Sequence, residues 1–139
     1  MTSSELYCIL KGQWPGLKLI TELSIGNLKV VDDNYDLVPE DVVGTCKKSL
    51  FAKIFDKPVA MDRNDCDDRA MRCMQRVRDT HTGKFTRAIG YATGRFTASP
   101  NETHAVNVCI TKSGIALYDD ETEKAWRPDR EDRVWFIFI

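Results

Sequence analysis

The stretch Asn64-Asp65-Cys66-Asp67-Asp68-Arg69-Ala70-Met71-Arg72-Cys73-Met74 decides how the chain reads. Taken as a helix opening at Asp65, it places Cys66, Ala70, Cys73, Met74 and, one turn on, Val77 on one face, the i, i+4, i+7, i+8 spacing of a core-facing stripe. Asp65 suits the N-cap, and Asp67 and Asp68 fall in the first turn, where carboxylates complement the positive end of the helix dipole. Cys66 becomes the first helical residue. Free backbone N–H groups point at a thiol there and favour the thiolate, which makes Cys66 a candidate nucleophile.

The rest of the composition sets bounds around that helix. At 139 residues the chain fits a single domain, 1–139, with a core long enough to close. Apolar and charged fractions of 42% and 29% are those of a soluble globular protein. A formal net charge of −1 gives no electrostatic case for nucleic acid or an anionic membrane. Apolar runs are too short to span a bilayer, and Met1-Thr-Ser-Ser-Glu5 lacks the layout of a signal peptide. Five cysteines (8, 46, 66, 73 and 109), odd in number and without a C-x-x-C pair, argue for reduced thiols and a cytoplasmic setting.

Working outward, residues 1–34 stay unassigned apart from a short strand over Ile25 to Val31 and a turn at Asp32-Asp33-Asn34. A helix is expected from about Glu40 to Ala52, with Pro39 at its start and Val42, Val43, Cys46, Leu50 and Phe51 as its stripe. The central helix should end near Arg78, before Thr80-His81-Thr82-Gly83. Strands are expected over Arg87 to Phe96, Ala105 to Thr111 and Ile115 to Tyr118, the last two joined by a hairpin at Lys112-Ser113-Gly114. Val134 to Ile139 reads as a final strand buried on both faces. Helices first and an antiparallel sheet after make the class α+β.

A cysteine nucleophile needs a base and a group that orients it. There are two histidines. His81 sits in a polar turn and reads as an exposed surface residue, whereas His104 enters a strand. In a short-turn hairpin the start of one strand lies beside the end of the next, so His104 and Asp119 become neighbours. A carboxylate beside an imidazole fixes its tautomer and stabilises the imidazolium. The acidic residues Asp62, Asp65, Asp67 and Asp68 read as a solvated helix start balanced by Arg63, Arg69 and Arg72 or, for Asp67 and Asp68 with Asp120, as oxygen ligands for calcium. A zinc site from Cys66, His104 and Asp119 is the weaker metal alternative. Cys46, Cys73 and Cys109 read as packed small hydrophobes. Trp14, Trp126 and Trp135 read as core or rim, with Trp126 also placed to line a cleft.

Asp65-Cys66-Asp67-Asp68, then Ala88-Ile89-Gly90-Tyr91-Ala92, His104-Ala105-Val106-Asn107 and a following acidic residue together resemble one papain-like group. It is the cysteine-protease domain at the C-terminus of the fungal fairy-ring mushroom agglutinin, with phage and bacterial relatives. The lead-in at Tyr35 to Val43 is similar too, and bacterial transglutaminase-like cysteine proteinases are the next pattern. The resemblance covers about Tyr35 to Asp120, within a catalytic-type core at 35–139. It implies a papain-like or transglutaminase-like fold, with the nucleophile at a helix N-terminus packed on the sheet. It also implies a calcium-dependent thiol peptidase of viral or bacterial type acting on a peptide or protein. By motif position Cys66 is the nucleophile, His104 the base and Asp119 the orienting group, with Asp120 and Glu121 competing for that last role. Asp67 and Asp68, with Asp120, hold the metal. Gln13, Asn64 and the Cys66 N–H are the alternatives for the oxyanion hole. The competing reading, from another class, is a catalytically inactive, metal-stabilised binding module on the same fold.

Overall fold

In a computed structural model of the chain, residues 1–20, 26–49, 66–99 and 103–139 are described. Helix α1 (Ser3–Gln13) opens the fold. Thr2 caps it and Glu5 reaches back to the Thr2 N–H, a capping box, while Leu6 and Leu10 are fully buried. Strands β1 (Leu28–Lys29) and β2 (Tyr35–Asp36) follow, then the short helix α2 (Val42–Cys46). The central helix α3 spans Cys66–Asp79. The C-terminal half holds β3 (Thr86–Arg87), β4 (Ile89–Arg95), β5 (His104–Thr111), β6 (Gly114–Asp119), β7 (Lys124–Trp126) and β8 (Arg133–Phe138).

Six strands form one sheet in the order β1-β8-β4-β5-β6-β7; β1 runs parallel to β8 and every other pairing is antiparallel. A separate parallel pair joins β2 to β3. All eight residues of β5 are buried, because helices cover both faces of the sheet there. Val106, Val108 and Ile110 pack in one cluster with Leu6 and Leu10 of α1, whereas Cys109 packs in a second with Cys46 of α2 and Cys73, Met74 and Val77 of α3. Strand alternation separates the two sets. The α+β class and the largely antiparallel sheet stand. Among the described residues no helix is long and apolar enough to cross a membrane.

The expected stripe on α3 is the buried one: Ala70, Cys73, Met74 and Val77 face inward, with Cys66 half-buried at the first position. Asp65, the expected N-cap, lies outside the described residues, as do Ile25, Asp62, Arg63, Asn64 and the 50–52 end of the helix expected from Glu40. That helix is shorter than its pattern. Asp41, not Pro39, caps it, accepting from the Gly44 N–H at 2.8 Å, and Lys47 leaves in an extended conformation. Val-Val-Gly-Thr-Cys is a weak helical sequence.

Two strand expectations change as well. Arg87 to Phe96 breaks at Ala88, whose N–H turns to the Asp36 carbonyl and whose carbonyl accepts from Ile110. The final strand is not buried on both faces: Trp135 is 49% exposed, and Phe136 and Phe138 are half-buried. The reason is a bulge. Thr93 pairs with Phe136 but Gly94 with Val134, so Trp135 is the extra residue and swings outward.

Candidate functional site

The β5–β6 hairpin does what its spacing predicts. The turn at Thr111–Gly114 pairs Asn107 with Tyr118, so His104 and Asp119 meet at the far end, Nε2 to Oδ2 at 3.3 Å. His104 is 3% and Asp119 8% exposed. The approach is an electrostatic contact and not an aligned hydrogen bond, and among the described residues the buried Nε2 has no hydrogen-bond partner. The aligned bonds to the carboxylate come from the Glu121 N–H and the Thr122 hydroxyl, each at 2.9 Å. Burial pushes the Asp119 carboxyl up, yet His104 and those two donors outweigh it and hold it down at about 2. The turn after β6 thus keeps a carboxylate ionised beside a buried imidazole. Since Nε2 faces Asp119, the other ring nitrogen is turned away from it.

Helix α3 is fixed against this end of the sheet by a residue the sequence reading passed over. Asn107 in β5, fully buried, donates from Nδ2 to the Ala70 carbonyl at 2.7 Å and to the Gly90 carbonyl at 3.1 Å, tying α3 to β4 and β5 at once. Its signal was an amide inside an otherwise apolar run. One residue before Ala70, Arg69 meets Glu121, just past Asp119, at 3.5 Å. Cys66 opens the same helix one turn earlier. No hydrogen bond or ion contact joins Cys66 to His104, so the structure brings His104 and Asp119 together but leaves the thiol unengaged.

Asp120, expected as a metal ligand, is held in ion pairs. Its carboxylate meets Arg76 at 2.9 Å and Lys48 at 3.0 Å. Arg76 lies about 13 Å along α3 from Asp67, so Asp120 is held well away from Asp67 and Asp68, which occupy the first turn. Among the described residues no three His, Cys, Asp or Glu side chains come together as a metal site would require. Gln13, offered for an oxyanion hole, instead has its amide at 3.4 Å from the Asp129 carbonyl. His81 is corrected from surface residue to fastener: Nε2 is 2.9 Å from Asp36 Oδ2, and Nδ1 accepts from Arg87 Nε at 3.1 Å. Trp126 is half-buried and lines a cavity of about 270 Å³ beside α2.

No family model matches the chain, and no curated protein matches it. Several solved structures share its fold, among them two named with what they bind. A complex of PSL1a with E64 is 14% identical with a TM-score of 0.67, covering all of this chain and 50% of that one. Polyporus squamosus lectin bound to the human-type influenza-binding epitope Neu5Acα2-6Galβ1-4GlcNAc is 13% identical with a TM-score of 0.66, covering all of this chain and 49% of that one. The chain therefore spans about half the length of the solved chains it resembles.

These findings correct the family expectation. One neighbour is titled a lectin and neither title names a protease or a transglutaminase, so the papain-like label has no support here, and the calcium-assisted cysteine peptidase reading is withdrawn with it. The alternative weighed beside it, a binding module, fits the findings better.

Proposed function

We propose that the chain is a ligand-binding module whose site is the end of the sheet where His104 and Asp119 meet, with Cys66 on the adjoining helix start. The observation that carries this reading is the buried pair itself: an imidazole and an ionised carboxylate 3.3 Å apart, with Nε2 lacking an aligned hydrogen bond. Buried polar groups left in that state are costly unless a partner engages them. Both neighbours' titles name a bound small molecule, and one of these is a saccharide. Carbohydrate is accordingly the ligand class proposed, because its hydroxyls both donate and accept, as an imidazole–carboxylate pair demands.

The test is titration of the protein with Neu5Acα2-6Galβ1-4GlcNAc and with E64, followed by backbone amide shifts and by intact mass. Saturable binding of the saccharide that moves the His104, Ala105 and Asp119 amides and weakens at least tenfold in His104→Ala is the expected result. Absence of saturable saccharide binding, or binding indifferent to His104→Ala, overturns it. A covalent adduct on Cys66 would also sink the reading of a module without thiol chemistry.

A further inference from the structure

We propose that the β4–β8 end of the sheet is a second site, built to bind the phosphate group of a small organic phosphate ester. Its basis is a pairing the bulge creates. Had β8 continued in its first register, Arg95 would face Val134; the extra residue at Trp135 shifts the ladder so that Arg95 lies directly opposite Arg133. Like charges opposite one another across an antiparallel pair are destabilising. Bulges characteristically re-aim side chains beside functional sites. Gly94 makes the shift feasible: a Cβ there would lie 2.3 Å from the Arg133 carbonyl oxygen.

Arg130 joins the two strand arginines from the turn before β8, and the three line a cavity of about 690 Å³ with Thr97. Among the described residues none of them forms an ion pair with a carboxylate. The wall also carries two acids, Glu131 and Asp132, which leave its three arginines with a net charge of +1. Asp132 is buried and its carboxylate is committed to building the loop: Oδ1 accepts from the Thr97 N–H at 2.8 Å and the Thr97 hydroxyl at 3.1 Å, and Oδ2 from the Asp129 N–H at 2.8 Å. Glu131 is exposed and makes no ion pair with the arginines.

What remains is three guanidinium groups around a concavity. The planar guanidinium fork matches two oxygens of a phosphate, and such charge-assisted bonds are about twice as strong as neutral ones. An oxyanion also relieves the repulsion between Arg95 and Arg133. The cavity falls within the usual range for small-molecule sites, so it has room for the organic part of an ester as well as its phosphate. His104 lies at the same end of the sheet, paired with Gly94, but strand alternation sets the Arg95 side chain on the opposite face, and the proposal does not rest on the binding proposed for His104.

Calorimetric titration of the full chain with glucose 6-phosphate, inorganic phosphate and glucose, each against sodium chloride of matched ionic strength, tests it. Saturable binding of glucose 6-phosphate and none of glucose is expected, with at least a tenfold weakening in the Arg95→Gln/Arg133→Gln double variant. Inorganic phosphate binding as tightly as the ester supports recognition of the phosphate group. Arg130→Gln, which lies in a turn and leaves the strand register alone, should weaken binding at least threefold even if the double variant fails to fold. Equal binding of glucose, the same heats from sodium chloride alone, or unchanged affinity in Arg130→Gln would overturn the proposal.

Discussion

Two neighbouring strand pairs at one end of the central sheet treat charge in opposite ways. Where β5 begins and β6 ends, each acid is answered: Asp119 by His104, the Glu121 N–H and the Thr122 hydroxyl, and Asp120 by Arg76 and Lys48. Where β4 ends and β8 begins, Arg95 and Arg133 face each other, and among the described residues neither forms an ion pair. Charge that serves the fold is buried and paired, because an unpaired buried ion is costly. Charge left unpaired at the surface is tolerated because water screens it, and it stays available to a ligand. The contrast separates side chains that hold the fold from side chains that can do something else.

The largest effect should come from breaking the best-paired acid. Asp120→Ala removes a carboxylate that two cations share and leaves Arg76 and Lys48 facing each other at a half-closed site. A loss of about 3 kcal/mol in urea unfolding is expected. A loss below about 1 kcal/mol would mean that the pair is screened like an exposed one, and the contrast between the two strand pairs would weaken.

Asp119 gives a smaller effect with a pH signature. Its folded carboxyl is held at about 2, below the ordinary carboxylate value, so its contribution is fully present above pH 4 and disappears as pH falls from about 4 towards 2. Wild-type stability should therefore drop through that window by about 2 kcal/mol more than that of Asp119→Asn, measured by chemical denaturation at stepped pH. Parallel pH profiles for the two proteins would show that the carboxylate is not stabilised by its neighbours.

How much of this was legible in the sequence depends on the range of the interaction. The meeting of His104 and Asp119 could be read because a hairpin with a short turn dictates it locally. The α3 stripe was equally local. Helix α1 was missed, although Thr2 and Glu5 stood at capping-box spacing before Leu6 and Leu10. The fate of Asp120 was out of reach, since its partners are 44 and 72 positions away and only packing of α2 and α3 on the sheet delivers them. The burial of β8 was misread because one bulged residue resets the register, and no short-range pattern announces that. Chemistry was read from residue types that a nucleophilic site and a binding site have in common. Local spacing brings those residue types together without saying which of the two roles they serve.

Thiol reactivity sharpens the same division between held and available side chains. Cys46, Cys73 and Cys109 are fully buried and mutually packed. The hydrogen bond with Cys109, followed by burial, raises the Cys46 thiol, and the bond with Cys46, then burial, raises that of Cys73. Iodoacetamide at pH 8 should label exposed Cys8 and half-buried Cys66 while sparing Cys46 and Cys73 by at least tenfold in rate, as read by peptide mass spectrometry. Rapid labelling of Cys73 in the folded protein would place it outside the core and undo the two-cluster description.

The smallest effect is also the one whose sign is most telling. Arg133→Thr removes a like charge from opposite Arg95 and puts a strand-favouring residue on β8, so the variant should be more stable than wild type by about 0.5 kcal/mol at low salt. Salt should shrink the gain, because the repulsion it removes is exposed and screened. Phosphate ester should reverse it, stabilising the wild type but not the variant, since only a ligand that binds the folded state raises its stability. A destabilised Arg133→Thr would mean that the arginine pair supports the fold through its side-chain stems, and the β4–β8 pair would then join the β5–β6 pair as structure alone.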